Sequence, residues 1–444
     1  MPHFPLECTR TIRTLDLTNL DDTFADVERR YSNKLVVGRP TSLKSYLLDA
    51  AVPFTACCPN AEELKVGADI VDSQTSMITC LQYLHKLTTL DIQGATIGLG
   101  SFSGAAAKVN CQNLREIRIR CSQSLPYENA HIANFLKSLR PDSLTHIMIT
   151  GISQSAALKN LVEGISAHCN SIESLRLHGT SKRIFSDFAA VGFTPFLEEL
   201  EIITTSSAPM SKTSRDLFAN WLMYCPTIST LSLKGHDVMY LCHEFLTRPF
   251  NELKTLKLET TRSEEIPLFH YDLFFRALAS CDDLEDFSIT DSLVRWTEGA
   301  KIRLSGALKH LRGLKRLELN IHGLAGCEVS AILEALPMLR DFTFSSGLTD
   351  DILKSLYHND HTRSLTSQIY PSTISADVLT KLFETRDDDD QLPIVVTMEA
   401  GSTIMDSEEH GFSRSYESYN GVPKWTTSVR HSTTSASDQP AQIS

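Results

Sequence analysis

A triplet of apolar residues at positions 0, 3 and 5 recurs down the chain, and no other feature narrows the possible folds so far. It reads Leu87/Leu90/Ile92, Leu114/Ile117/Ile119, Leu144/Ile147/Ile149, Ile172/Leu175/Leu177, Leu197/Leu200/Ile202, Ile228/Leu231/Leu233, Leu253/Leu256/Leu258, Leu284/Phe287/Ile289, Leu314/Leu317/Leu319 and Leu339/Phe342/Phe344. Two more copies stand upstream, Ile12/Leu15/Leu17 and Ala61/Leu64/Val66. From the start at 87 to the start at 339, nine steps cover 252 residues, a mean of 28. A fixed period of that size marks a stack of like units, each of which buries its apolar side against the next.

Periodicity inside one unit assigns its two halves. Positions 3 and 5 alternate, which is a strand, and the following segment carries apolar residues every three or four, which is a helix. Ala157, Leu158, Leu161, Val162 and Ile165 form one such stripe, and Leu217, Phe218, Trp221 and Leu222 another. A strand, a helix and the next strand within about 30 residues require parallel neighbours, since antiparallel strands need only a tight turn. The fold class is therefore α/β, a right-handed solenoid with a parallel sheet on the concave side and helices on the convex side.

Cys58, Cys111, Cys169, Cys225 and Cys281 each stand three residues before the first apolar residue of a strand, where other units have Leu84, Phe250, Leu311 or Leu336. A position that accepts Cys, Leu and Phe is a packing site, and free Cys acts there as a small hydrophobe. Paired C-x-x-C spacing is missing, so the eleven cysteines suggest neither zinc nor disulfides. Unpaired core thiols fit a reducing compartment, cytoplasm or nucleus. A net charge of -12 gives no general attraction for nucleic acid or anionic membrane. No apolar run reaches the length that spans a bilayer, and the N-terminal residues lack the order of a signal peptide.

The repeats are expected over residues 1–400, about 12–13 of them and degenerate at both ends. A weak copy is expected near Leu35–Val37, and past Ser367 the pattern resumes as a helix from Ala376 to Phe383 and a last strand at Leu392 to Thr397. The run Asp387–Asp390 between them reads as a solvated loop. Residues 401–444 are rich in Ser and Thr without apolar periodicity, and are expected to form a disordered tail.

Strand motifs introduced by Cys, as in CCPNAEELKV, CQNLREIRI, CNSIESLRL, CPTISTLSL and CDDLEDFSI, resemble the leucine-rich repeats of F-box/LRR proteins and their ribonuclease-inhibitor-like relatives, over roughly residues 8 to 370. The resemblance implies a horseshoe that holds a protein client, as the substrate-recognition arm of a cullin-type ubiquitin ligase. In that family a helical F-box docks on a Skp1-type adaptor. No such segment is visible here, because PHFPLEC passes directly into the first strand motif, so an adaptor is expected only if an F-box precedes it. A free-standing scaffold or signalling regulator is the alternative. Where the family commonly has an asparagine after the strand, this chain has Gly94, Gly151, Gly179 and Gly235, which implies looser turns.

Outward strand residues at positions 2, 4 and 6 line the concave surface, where solenoids bind. In three successive units they are Glu116, Arg118 and Arg120, then His146, Met148 and Thr150, then Ser174, Arg176 and His178. With neighbouring strands about 4.8 Å apart, Arg118, Arg120, His146, Arg176 and His178 should form one basic patch, flanked by Glu116, Glu199 and Glu201 and, farther on, Lys234, Lys257 and Glu259. An acidic or phosphorylated client would suit such a patch. Alternatively, Glu116, Glu199 and Glu201 already neutralise it. On the first reading, replacing Arg118 and Arg176 with Glu abolishes capture without lowering the melting temperature.

Catalysis finds little support, and no cofactor or metal is expected. No G-x-S-x-G, H-E-x-x-H or P-loop motif occurs. Adjacent His168 and Cys169 do not naturally converge as a nucleophile pair, and His358 with His361 near Asp360 lacks two further metal ligands.

Overall fold

The computed structural model describes residues 11–18, 58–67, 81–94, 111–121, 128–152, 158–188, 191–205, 210–236, 238–247, 252–260, 268–291, 296–321, 323–358, 361–367, 373–385, 395–399, 403–405, 412–419 and 422–429. The weak copy near Leu35–Val37 and the run Asp387–Asp390 lie outside them. The chain divides into two compact units, Met1–Cys281 and Asp282–Ser444.

In the first unit each triplet is a strand. These are β1 (Thr14–Leu17), β2 (Glu63–Val66), β3 (Thr89–Gln93), β4 (Glu116–Arg120), β5 (His146–Thr150), β6 (Ser174–Thr180), β7 (Glu199–Thr204), β8 (Thr230–Gly235) and β9 (Thr255–Thr260). They pair in chain order and in parallel. Register aligns Leu64, Leu90, Ile117, Ile147, Leu175, Leu200, Leu231 and Leu256 in one row, and Val66 through Leu258 in a second. All of these residues are buried, so Leu90, Leu175 and Leu256 share one interior. Rows of apolar side chains at unit spacing bury each coil against two others, which is what makes a single coil insufficient and a stack stable. This is a leucine-rich-repeat α/β solenoid.

A second regularity runs along the edge where the strands begin. The carbonyl of the residue before each strand accepts two N–H groups of the next coil: Glu62 and Glu63 donate to Arg13, Thr88 and Thr89 to Glu62, Arg115 and Glu116 to Thr88. The pattern continues through Thr145, Glu173, Glu198 and Ser229 to Lys254. At the far edge Gly94 and Gly151 take φ of 114° and 74°, and a Cβ on Gly151 would stand 2.5 Å from the Cys121 carbonyl oxygen. Only glycine tolerates that backbone there. These turns are tied rather than loose, since Gly94 N–H donates to Arg120 at 2.8 Å and Cys121 N–H to Thr150 at 3.0 Å.

The helices of this unit are α1 (Glu128–Ser138), α2 (Leu158–Ser166), α3 (Arg183–Asp187), α4 (Lys212–Met223), α5 (Val238–Leu246) and α6 (Leu268–Leu278). Helix α2 buries Leu158, Leu161, Val162 and Ile165 as the stripe predicts. Helix α4 begins at Ser211, whose Oγ accepts Ser214 N–H at 3.1 Å, and buries Phe218, Trp221 and Leu222; Leu217 is exposed instead. Phe185, Phe188, Phe218 and Trp221 form an aromatic layer with centroids 4.7–6.2 Å apart. Packed helices need about 8–10 Å and paired strands about 4.8 Å, so the stack bends toward its sheet.

The cysteine phase holds at Cys58, Cys111, Cys225 and Cys281, all buried and none in a disulfide among the described residues. Burial pushes the Cys111 thiol up to about 12. Cys169 departs from it: the thiol is only half-buried, and His168 fills the interior position. The cause is one extra residue in the turn. Ala61 and Leu114 donate their N–H to the carbonyl three residues back, whereas Ile172 donates to His168, four back.

In the second unit, β10 (Asp286–Asp291), β11 (Arg316–Ile321), β12 (Asp341–Phe344), β13 (Ser364–Ser367) and β15 (Val395–Glu399) form a parallel sheet. Phe287, Leu317, Phe342, Leu365 and Val396 make its buried row, and beside it Ile289, Leu319 and Phe344 end on Ser367, whose Oγ donates to the Ser346 carbonyl. Helices α7 (Glu298–Leu308), α8 (Gly326–Ala335), α9 (Asp350–Ser355) and α10 (Ala376–Glu384) accompany it. Lys301, buried on α7, reaches Glu298 at 2.8 Å and Glu328 of α8 at 3.7 Å. Strands β14 (Thr373–Ser375) and β16 (Thr403–Met405) pair in parallel. Strand β17 (Phe412–Tyr419) pairs antiparallel with β18 (Val422–Val429), and β18 with β15. These last two strands depart from the expectation of a structureless tail in that stretch. Opposed positions such as Tyr416 with Trp425 and Phe412 with Val429 carry residue types with high strand preference, which a reading of Ser/Thr content overlooks.

Candidate protein-binding surface

In the first unit the outward residues form three rows on the exposed face of the sheet. Strand register sets Glu116 beside His146 and Ser174, Arg118 beside Met148 and Arg176, and Arg120 beside Thr150 and His178. The five residues read as a basic patch do come onto one face. They do not stand as bare cations.

Arg118 Nε donates to Glu116 Oε1 at 2.7 Å and its Nη1 lies 3.6 Å from Glu63. Arg120 Nη2 meets Asp91 Oδ2 at 3.2 Å. Arg176 Nη2 reaches Glu199 at 2.8 Å, and its Nε lies 3.9 Å from Glu201. His178 Nε2 is 3.1 Å from Glu201 Oε2 but off the line of a hydrogen bond. His146 accepts or donates locally, with Nδ1 2.8 Å from Thr145 Oγ1. The like-charged cluster is thus a lattice of alternating sign, in two groups separated by β5: Arg118 and Arg120 face acids on β2, β3 and β4, and Arg176 and His178 face acids on β7. Ser174 Oγ donates to Glu199 as well, at 2.7 Å.

Electrostatics follow from these contacts. His178, with Arg176 adding, holds the Glu201 carboxyl below the usual carboxylate range against the opposing effect of burial. The Glu199 hydrogen bond holds the Arg176 guanidinium firmly protonated. The flanking residues also pair: Lys234 Nζ lies 2.6 Å from Glu259, and Lys257 sits in the row of Ser232 and Glu201. Replacing Arg118 and Arg176 with Glu would therefore set acids against Glu116, Glu199 and Glu201, so that double change is expected to lower the melting temperature; glutamine is the cleaner substitution.

Glu63 and Asp91 escaped the sequence reading, although the outward-position rule applied to the two preceding coils finds both. Asp91 is the more telling. Its side chain is 2% exposed on a face that is otherwise wet, and its Oδ1 has no hydrogen-bond partner among the described residues.

The other candidates are His168 with Cys169, and His358 with His361 and Asp360. His168 Nε2 donates to the Leu136 carbonyl at 3.1 Å, and burial lowers its proton affinity. Burial raises the Cys169 thiol, the wrong direction for a nucleophile. His361 is exposed, and the side chain of His358 and all of Asp360 lie outside the described residues. Among the described residues no group of three or more His, Cys, Asp or Glu could hold a metal ion, and no helix is long and apolar enough to cross a membrane.

No protein-family model matches the sequence, and no curated protein does. Among solved structures, the chain is similar to one in the crystal structure of a TLR13–ssRNA13 complex, at 12% identity over 74% of this chain and a TM-score of 0.39. It spans 45% of that chain's length. A likeness at that level carries no inference about ligand or role.

Proposed function

We propose that the protein is a non-catalytic, protein-binding repeat module that holds a client across β4–β6 of the first unit. The observation that supports this reading is the composition of that face: a strip of His146, Met148 and Thr150, with no acid or arginine of its own, lies between Arg118 and Arg120 on one side and Arg176 on the other, each paired with a carboxylate. A half-buried Met between two partly exposed guanidiniums suits a segment with one apolar side chain and an acidic or phosphorylated neighbour. Arginine carries five donors, and pairing with one carboxylate leaves several for a ligand. Polyanions gain less here, because each arginine already has a counter-charge.

The more specific role, substrate-recognition arm of a cullin-type ubiquitin ligase in the cytoplasm or nucleus, is supported by the resemblance of the Cys-led strand motifs. It is tested by isolating the tagged natural protein from cells and identifying what accompanies it. A Skp1-type adaptor together with a client lost on Arg118→Gln/Arg176→Gln supports both levels. A client lost without any adaptor leaves a free-standing scaffold. Binding of single-stranded RNA that the same variant abolishes would replace the protein client altogether.

A further inference from the structure

Five of the eight large apolar side chains exposed among the described residues fall in one short stretch: Phe193, Phe196, Leu217, Met223 and Tyr224. Scattered residues of this kind need no explanation, whereas a cluster does. Phe193 and Phe196 lie on the loop before β7, Leu217 and Met223 on α4 and Tyr224 just past its end, and that loop is stitched to the end of α4 and the turn after it. Trp221 Nε1 donates to the Gly192 carbonyl at 3.0 Å, Thr194 Oγ1 lies 2.9 Å from Cys225 Sγ, and Thr227 Oγ1 donates to the carbonyls of Pro195 and Leu197 at 3.0 and 2.9 Å. The aromatic layer of Phe188, Phe218 and Trp221 packs from within. Phe193, Phe196 and Tyr224, 54%, 56% and 63% exposed, are therefore presented on a fixed base, which lowers the entropic cost of using them in an interface.

Charge says what would sit there. Glu173 and Glu198 precede adjacent strands on the same edge, and Glu198 N–H donates to the Glu173 carbonyl at 2.8 Å, so the two residues stand side by side. Both are exposed, and neither carboxylate has a hydrogen bond or ion pair among the described residues. The nearest cations in that row, Arg115 and Lys254, stand two coils away on either side. Every acid on the sheet face near β4–β7 has found a partner, while these two beside the aromatics have not.

We propose that this edge of the first unit is a second docking surface, independent of the sheet face, for a protein segment that carries arginine or lysine next to aliphatic or aromatic side chains. Cations over Phe and Tyr rings gain from the ring quadrupole, and the same groups satisfy the two carboxylates. A second copy of this chain fits less well, because a two-fold contact would bring Glu173 and Glu198 against themselves.

Fluorescein-labelled degenerate short peptides provide the probe: one pool mixes Arg and Lys with Leu, Ile and Phe, and a matched pool carries Asp and Glu in place of the basic residues. Titrated with the whole chain and followed by anisotropy, the basic pool binds and the acidic pool does not. Phe196→Ser/Tyr224→Ser and Glu173→Gln/Glu198→Gln each weaken binding about tenfold, as expected of central contacts. Glu173→Lys/Glu198→Lys shifts preference to the acidic pool, and Arg118→Gln/Arg176→Gln changes nothing, which separates this site from the sheet face. Phe196, Tyr224, Glu173 and Glu198 are exposed, so their variants retain the wild-type melting temperature, and the charge swap reads a gain that misfolding cannot mimic. Equal binding of the two pools, absence of saturable binding by the basic one, or full affinity in both double variants overturns the proposal. So does a dimer in sedimentation that Tyr224→Ser dissociates, which would make a second copy the occupant.

Discussion

Asp91 and Arg120 should respond very unequally to removal, although they form one ion pair. The carboxylate is 2% exposed and the guanidinium 49%. At their separation of 3.2 Å the gross attraction is about 5 kcal/mol at an effective dielectric of about 20. Half the arginine is hydrated, so much of that is offset by solvation it keeps, and the net loss on Arg120→Met is expected at about 2 kcal/mol, below the 3–5 typical of a fully buried pair. Asp91→Ala removes the buried charge itself and frees an arginine that water can solvate; about 0.5 kcal/mol or less is expected. The double variant should recover most of what Arg120→Met loses, because the stranded carboxylate is then gone. Urea unfolding followed by circular dichroism, with midpoints converted by the measured slope, gives all three values. If Arg120→Met costs no more than Asp91→Ala, the stability of this face does not depend on countering a buried acid, and the reading of the lattice as a set of enforced pairs fails.

The remaining predictions are local. Burial lowers the His168 proton affinity in the fold, so near pH 6 the unfolded chain binds a proton that the folded chain does not. Its contribution is intact above the ordinary histidine value of 6.5 and is lost as pH falls below it; the hydrogen bond to the Leu136 carbonyl and, after it, the charge of Asp142 oppose the shift without reversing it. His168→Gln should flatten the stability–pH curve between about pH 6.5 and 5 relative to wild type, and parallel curves would refute the assignment. A Cβ on Gly164 would stand 3.0 Å from the Ala133 Cα and carbonyl oxygen, across the contact of α1 and α2. Gly164→Ala is therefore expected to lower stability by about 1–3 kcal/mol despite the better helix preference of alanine, and a rise in the urea midpoint would contradict the close approach.

The rows of the core were legible because the sheet side of each coil alternates strictly and the register repeats. The repeat alone aligns Leu90, Ile117, Ile147 and Leu175, and the strand register matches. Charge on the outward face was legible only as location. Arg118 meets Glu116 on its own strand, a neighbour the three coils already contain, but its second acid, Glu63, lies two strands away and 55 residues upstream, and Asp91, which holds Arg120, also lies outside those coils. The swap of Cys169 for His168 turns on one residue of loop length, which periodicity averages away. Exposed Phe193, Phe196 and Tyr224 were illegible for another reason: in a repeat protein an aromatic near the strand start reads as core, and only its place in the fold says otherwise.

The doubled bonds along the edge where strands begin have an evolutionary corollary. Each carbonyl there uses both lone pairs on the following coil, and each coil supplies an identical carbonyl to the next. Duplicating or excising one whole coil between, for instance, Glu173 and Glu198 would leave every such bond re-formed with an equivalent neighbour, so arrays of this kind can lengthen or shorten by unit steps. A proline at either donating position, or a loop change that shifts those donors by one residue, would break the chain of bonds at that joint, and change should instead accumulate on the opposite margin, between strand ends and helices.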